Sequence, residues 1–213
     1  MTGALLANVV TDATEWLEDI SARWWFLLII LVVAFLDSVI PIVPSETTVI
    51  IGGVAAGAGD QSLILVIAAG AIGAFLGDNT AYLIGARMAG FFQRRAEARP
   101  KFRRKLDWAS DQIRIRGGLL LITARFIPGG RTVLTLSSGI THQPHRWFAK
   151  WVAIAAVIWA SYAALLGYIG GKAFEDNSTM AFLFAFGAAL SVTVIIEVVR
   201  HYRNKGHEGH EAA

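Results

Sequence analysis

The stretch of residues 125–131, RFIPGGR, places two arginines six positions apart around a Pro-Gly-Gly break. Apolar residues flank it, 119–122 before and 133–136 after. A charged side chain at bilayer depth costs roughly 3 kcal/mol or more. Proline and glycine also interrupt a helix where no water satisfies the freed backbone groups. A chain carries both costs where a broken segment lines a polar site, and two arginines there predict a site for phosphate or another anion.

A second broken segment, residues 37–46 (DSVIPIVPSE), holds two carboxylates and two prolines between apolar runs. Its end matches the first stretch, because Pro44 and Thr48–Ile50 correspond to Pro128 and Thr132–Leu134 at an offset of 84 residues. Farther along, residues 83–85 match residues 165–167 at an offset of 82. The order and near-constant offset favour an internal duplication. Interrupted hydrophobic segments at matching places in two halves indicate a transporter binding site.

The composition predicts an all-α integral membrane protein. The chain is 55% hydrophobic and 16% charged, with a mean hydropathy of +0.53, which excludes an ordinary soluble domain. About four stretches approach the roughly 20 residues that span a bilayer. They lie near residues 61–86, 146–171 and 180–199, with a shorter one near 24–37. The chain has no cysteine, and therefore no disulfide or thiol chemistry.

Charge distribution orients these segments. Ten of the 19 Lys and Arg fall between Arg87 and Arg116, against three acids, so this basic segment is predicted to be a cytoplasmic loop near anionic lipid. No nucleic-acid-binding motif accompanies it, and no nucleic-acid partner is expected. Both ends of segment 117–141 then lie inside, so it is predicted to be a re-entrant hairpin. Segment 37–58 becomes a second hairpin, entered from outside after a first span, and the two face each other as an inverted repeat. The alternative is that 117–141 is a kinked helix that crosses fully.

These assignments divide the chain into three parts. Residues 1–22 form an N-terminal interfacial segment, residues 23–199 the membrane domain, and residues 200–213 a charged cytoplasmic tail. Within the membrane domain, the repeat halves cover about 37–90 and 120–174, with the basic segment 87–116 between them. Both termini are predicted to be cytoplasmic. The tail histidines are interpreted as part of an exposed, charged tail rather than a metal site, and neither metal nor cofactor is expected.

Four motifs in order resemble the DedA family, also called SNARE-associated or VTT-domain proteins. They are Pro44–Glu46, residues 77–87 (GDNTAYLIGAR), residues 125–131 and residues 167–170 (GYIG), and the resemblance covers about residues 25–172.

The resemblance implies two re-entrant hairpins and movement of a lipid or lipid-linked phosphate, driven by a proton or sodium gradient. Bacterial members are linked to recycling undecaprenyl phosphate, and others to phospholipid flipping. The two membrane acids of the family fall on Asp37 and Glu46, and its two arginines on Arg125 and Arg131. Position 37 departs from the pattern, since many members have the longer Glu there.

For the arginines two interpretations stay open. Arg125 and Arg131 bind a phosphate, helped by backbone N–H groups at Gly129 and Gly130, or they form a structural ion pair with Glu46 or Asp37.

The acids have alternatives too. Asp37 and Glu46 are predicted to carry the coupling ion, while the alternative has Glu46 capping a half-helix and Asp37 ending the first span. Asp78 and Tyr82 lie four apart on one helix face, so they are expected to bond each other or, alternatively, to coordinate the coupling ion. The residues predicted to support the site are Pro44, Ser45, Tyr82 and Pro128.

The resulting prediction is an inner-membrane transporter or flippase for an anionic lipid, undecaprenyl phosphate first and a phospholipid as the alternative. The partners considered are the lipid, H⁺ or Na⁺, and a second copy of the chain. An intramembrane lipid-modifying enzyme is the competing class. Before the tail the only histidines are His142 and His145, in one turn, and no His-Glu-x-x-His motif occurs, so no enzyme is predicted.

Overall fold

The computed structural model describes residues 20–40, 45–126 and 130–174 and the single positions 180 and 187. Every regular element in these ranges is a helix, as the composition predicts. The expected span at 180–199, the tail 200–213 and most of the interfacial segment 1–22 lie outside the described residues. The helices are α1 Phe26–Val39, α2 Ser45–Ala58, α3 Leu63–Arg87, α4 Ala89–Ala98, α5 Pro100–Arg116, α6 Gly118–Thr123, a 3₁₀ turn Ala124–Phe126, α7 Gly130–Ile140 and α8 His145–Ala173.

Two of these helices are long and apolar enough to cross a membrane. Helix α3 has 25 residues and α8 has 29, which at 1.5 Å per residue gives lengths of about 38 and 44 Å. A bilayer core is about 30 Å thick. The two long spans predicted near 61–86 and 146–171 are therefore confirmed as helices. The shorter stretch near 24–37 becomes α1, whose 14 residues reach only about 21 Å.

The bundle exposes many apolar side chains and buries a small charged cluster within an otherwise hydrophobic core. Asp78 and Arg125 are buried at 0% and 9% exposure, whereas large aliphatic side chains point outward along the long helices. This distribution fits a surrounding solvent of lipid rather than water. The outward aliphatic residues of α1, α3 and α8 include Leu28, Val32, Ile64, Leu65, Ile72, Leu76, Val157, Ile158, Leu165 and Ile169.

Helices α1 and α2 form a hairpin whose two ends meet. The side-chain amide of Gln61, just after α2, donates to the carbonyl of Arg23, just before α1, at 2.9 Å. The boundary between the first span and the first hairpin was predicted at Asp37. It is shifted, because α1 continues through Asp37 to Val39. Helix α2 begins at Ser45, and both prolines of this segment lie between the two helices in the sequence.

The second broken segment is arranged in the same way at the other end of the bundle. Helix α6 begins against α8, where Gly118 contacts the ring of Trp151, and α7 ends shortly before α8 starts. Helices α3 and α8 are antiparallel, since Gly70 lies beside Ala160 while Asn79 bonds His145. The two hairpins therefore enter the bundle from opposite ends.

The packing partners are exchanged between the two halves. Helix α1 packs on α3 and α6 on α8, while α2 packs on α8 and α7 on α3. In the exchanged contacts a glycine of each helix meets a carbonyl of the other so closely that an added Cβ would overlap it. These pairs are Gly85 with Leu136, Gly139 with Tyr82, Gly167 with Ile50, and Gly53 with Ala164. Equivalent partners are 82 residues apart in the long helices and 86 apart in the short ones. These offsets are two residues smaller and two residues larger, respectively, than the offset of 84 between the proline segments.

The basic segment 87–116 is helical rather than an irregular loop. Helices α4 and α5 fill it, with Pro100 at the start of α5, and Gly117 follows with a φ of 59° that allows the sharp turn into α6. Arg103 and Asp107 form an exposed ion pair one helical turn apart. Trp108 and Ile115 are exposed beside these charges, which gives the pair of helices the composition of an interfacial element.

Candidate functional site

Asp37 joins the two sides of the first break. It lies in the last turn of α1, and the hydroxyl of Ser45, the first residue of α2, donates to its carboxylate. Glu46 follows in the first turn of α2, half-buried and within electrostatic range of Asp37. Of the first segment's predicted residues, Asp37, Ser45 and Glu46 are brought together, and Pro44 lies outside the described residues.

Arg131 links the two breaks. It sits in the first turn of α7, and its Nη2 donates to the backbone carbonyl of Asp37 at 2.6 Å. The same nitrogen lies 3.3 Å from the Asp37 carboxylate. The alternative of an ion pair between the hairpins is therefore realised for Arg131, with Asp37 as its partner. Gly130 begins the same helix, and Pro128 and Gly129 lie outside the described residues.

Asp78 is the shared counterion of the two arginines. It is fully buried on α3, and its Oδ2 accepts a hydrogen bond from Arg125 Nη1 at 2.5 Å. Its Oδ1 faces Arg131 Nε at 3.7 Å, which is beyond hydrogen-bond length. Three charged side chains that are far apart in the sequence thus form one cluster across α3, the 3₁₀ turn and α7.

The expected bond between Asp78 and Tyr82 is not formed. The Tyr82 hydroxyl donates to the carbonyl of Gln143 at 2.5 Å, and its ring stacks on Phe148 with centroids 4.7 Å apart. The two residues are one helical turn apart on α3 but contact different neighbours. Asp78 contacts Arg125, and Tyr82 contacts the turn before α8. Tyr82 therefore packs against the start of α8 and does not contact the Asp78 carboxylate by a hydrogen bond.

Two aromatic residues of α8 belong to the site, and sequence reasoning missed both. The ring of Trp159 lies under the Arg125 guanidinium, 5.1 Å from its carbon to the ring centroid. Tyr162 meets Phe126 edge-on at 6.0 Å and lies within electrostatic range of Glu46. The available signal was two aromatic residues with polar tips, three positions apart in the middle of a long apolar helix.

Several buried polar atoms at this site have no hydrogen-bond partner among the described residues. Three of them are guanidinium N–H donors, Nε and Nη2 of Arg125 and Nε of Arg131. Leaving a buried charged donor unbonded costs more than the 1–3 kcal/mol of a neutral one. The cluster therefore has buried donor capacity that no described residue uses. The other unpaired atoms are Asp78 Oδ1, Thr132 Oγ1 and the Tyr162 hydroxyl.

The geometry suits binding of an oxyanion within an apolar bundle. Among known protein families, the VTT domain model matches residues 40–169. The chain belongs to the VTT-domain (DedA) family. As a VTT-domain protein it is a membrane protein, and residues 40–169 contain both breaks, α3 and most of α8.

Relatives of this VTT-domain protein extend over most of its length. It is 27% identical to protein DedA of Escherichia coli K12 over 172 residues, 78% of this chain and 77% of the relative. It is 31% identical to the inner membrane protein YohD of the same organism over 131 residues, 62% of this chain and 67% of the relative. It is 26% identical to undecaprenyl phosphate transporter A of Bacillus subtilis over 160 residues, 74% and 80% of the two chains. No solved structure matches the chain.

Proposed function

We propose that this protein moves an anionic lipid across the inner membrane and binds the lipid phosphate between Arg125 and Arg131. The observation that carries the proposal is the set of three buried guanidinium N–H groups without a partner among the described residues. Phosphate oxygens accept such donors in pairs. The outward aliphatic faces leave the acyl or isoprenyl chains in the bilayer while the headgroup enters the bundle.

Undecaprenyl phosphate is the lipid we propose first. A relative that shares 160 aligned residues with this chain is named for its transport. A lipid monophosphate also presents a terminal phosphate without a further headgroup, which suits a site closed by aromatic rings. A phospholipid remains the second candidate, and an intramembrane lipid-modifying enzyme the third.

Charge balance offers a route to coupling. Arg125 and Arg131 face two acids, Asp78 and Asp37, with Glu46 nearby. A phosphate that enters this cluster adds negative charge to it, and an uncompensated buried charge is costly. Uptake of a proton by Asp37 or Glu46 would keep the buried charge constant. We therefore propose that proton and phosphate enter the site together, with Na⁺ as the alternative coupling ion.

The exchanged packing of the two hairpins supports alternating access. Each hairpin ends where its long helix starts, and the long helices are antiparallel, so the two breaks approach the middle from opposite ends. We propose that the hairpins are re-entrant and that the repeat halves begin at α1 and α6, earlier than the boundaries of 37 and 120 taken from the sequence. Rocking of one half against the other would then expose the arginines to each face in turn.

A translocation assay tests the function. Purified protein in liposomes, with a pH gradient, is given undecaprenyl phosphate, phosphatidylglycerol or phosphatidylethanolamine, and arrival in the opposite leaflet is measured. We expect undecaprenyl phosphate to move, and Arg125→Gln protein to be inactive. Movement of phosphatidylglycerol alone would favour the second candidate. Release of inorganic phosphate from any of the lipids would instead indicate an enzyme.

A labelling assay tests the hairpin arrangement. The chain has no cysteine, so single cysteines can replace the exposed Ala22, Asp60 and Glu97. A membrane-impermeant maleimide should label positions 22 and 60 from the outer face, which would replace the cytoplasmic N-terminus and the first full span expected from the sequence, and position 97 from the inner face. Labelling of 22 and 60 from opposite faces would mean that residues 24–37 cross the bilayer, and the first hairpin would be rejected.

A further inference from the structure

Two long helices hold the Arg125 side chain in place, although it projects from the interrupted segment. Asp78 of α3 bonds Nη1, and Trp159 of α8 covers one face of the guanidinium. The side chain is 2% exposed, so its plane is fixed within the bundle. Nε and Nη2 are the two atoms left without a partner among the described residues.

The position of these free atoms matters. Nε and Nη2 form one edge of a guanidinium, and their N–H bonds are parallel, which matches two oxygens of one phosphate. Asp78 binds at Nη1 and leaves that buried edge without a hydrogen-bond partner among the described residues. Arg125 and Asp78 are therefore joined by one hydrogen bond. An arginine that only neutralises a carboxylate commonly forms two parallel hydrogen bonds to it.

Trp159 stabilises the cation without using any of its donors. An indole face attracts a guanidinium, and the attraction is strongest where water is excluded. A second carboxylate in its place would neutralise the arginine fully and compete with an incoming anion. A neutral ring offsets part of the cost of burying the charge while Nε and Nη2 stay available.

We propose that Trp159 is a positioning residue that orients Arg125, so that its Nε–Nη2 edge binds the phosphate of the lipid. This assignment rests on the proposed function. It gives the two arginines different tasks, because Arg125 is held with a free edge while Nη2 of Arg131 is already used on Asp37. Trp159 acts through Arg125 and does not itself contact the phosphate.

Fluorination of the indole tests the proposal without changing its shape. Tryptophan carrying one to four fluorine atoms is introduced at position 159 by nonsense suppression, since fluorine weakens the electrostatic attraction of the ring face at nearly constant volume. Binding of farnesyl phosphate to the purified protein in detergent is measured by thermophoresis, with farnesol as the neutral ligand. The same series at Trp151, which packs on Gly118, is the matched control.

The dissociation constant for farnesyl phosphate should rise stepwise with fluorine number at position 159, by about tenfold across the series. It should stay constant at position 151, and thermal stability should be similar in the two series. If the wild-type protein binds farnesyl phosphate, Arg125→Gln does not, and the series at 159 is flat, Trp159 is not a positioning residue and the proposed function stands. If the wild-type protein binds farnesyl phosphate no better than farnesol, the proposed function fails and this inference fails with it.

Discussion

An Arg–Asp ion pair occurs in each of two very different regions of the molecule. In the basic helices, Arg103 and Asp107 approach to 3.8 Å with side chains 67% and 68% exposed. At the centre of the bundle, Arg125 and Asp78 approach to 2.5 Å with side chains 2% and 0% exposed. Water screens the first pair, and the surrounding side chains exclude water from the second. Equal chemistry therefore has unequal energetic weight.

The difference teaches where function lies in a charged membrane protein. More than half of the lysines and arginines lie in the basic segment, ten of 19, and that excess orients the chain relative to the bilayer. The central cluster has two arginines, and each faces a specific acid. Because each of its charges is desolvated, a single added anion or proton changes the balance of the whole cluster.

Breaking the buried pair should have the largest effect. Asp78→Asn leaves the Arg125 cation without its counterion, a loss of about 3–5 kcal/mol, and we expect a much lower thermal unfolding temperature and no lipid transport. The double variant Asp78→Asn, Arg125→Gln carries a neutral pair of similar size and should recover most of the stability but no transport. Equal transport by the single variant and the wild type would show that Asp78 has no role.

Removal of the link between the hairpins should come next. Arg131→Ala should abolish transport, and Arg131→Lys should restore little of it, because one ammonium cannot reach the Asp37 carbonyl, its carboxylate and a phosphate together. Initial translocation rates in liposomes measure this. Full activity of the lysine variant would argue against a forked contact at position 131.

A smaller and more specific effect is expected at the first break. Glu46→Gln should fold normally and still bind farnesyl phosphate, because its side chain keeps its size and the arginines are unchanged. The amide cannot take up a proton, so the rate should no longer depend on the imposed pH gradient. A variant with the wild-type pH dependence would remove Glu46 from coupling and leave Asp37 as the acid to test.

The exposed pair should respond least. Asp107→Asn removes the partner of Arg103, and exposed pairs contribute about 0–1 kcal/mol. Thermal stability and transport should both stay within error of the wild type, at low and at high salt. A loss comparable to that of Asp78→Asn would mean that α5 is part of the transport machinery, and the contrast between the two regions would be lost.

The sequence already predicted the all-helical membrane domain, the two breaks and the four charged residues beside them. Apolar runs of about 25 residues have few alternatives to a spanning helix. Prolines and arginines within such runs indicate breaks, because a helix that carried them through the bilayer would be energetically costly. The topology relative to the membrane, the coupling ion and the lipid remain predictions.

Only the tertiary structure decided which charges meet. Along the chain Asp78 lies 47 residues from Arg125, and Arg131 lies 94 from Asp37, so no local pattern joins them. Periodicity placed Asp78 and Tyr82 on one face, but packing against α7 and α8 sent them to different partners. The role of Trp159 could not be predicted either, because an aromatic residue in an apolar helix gives the same sequence signal whether it faces lipid, core or arginine. Sequence determines where a charge or a ring is costly, and three-dimensional packing determines the neighbour that offsets that cost.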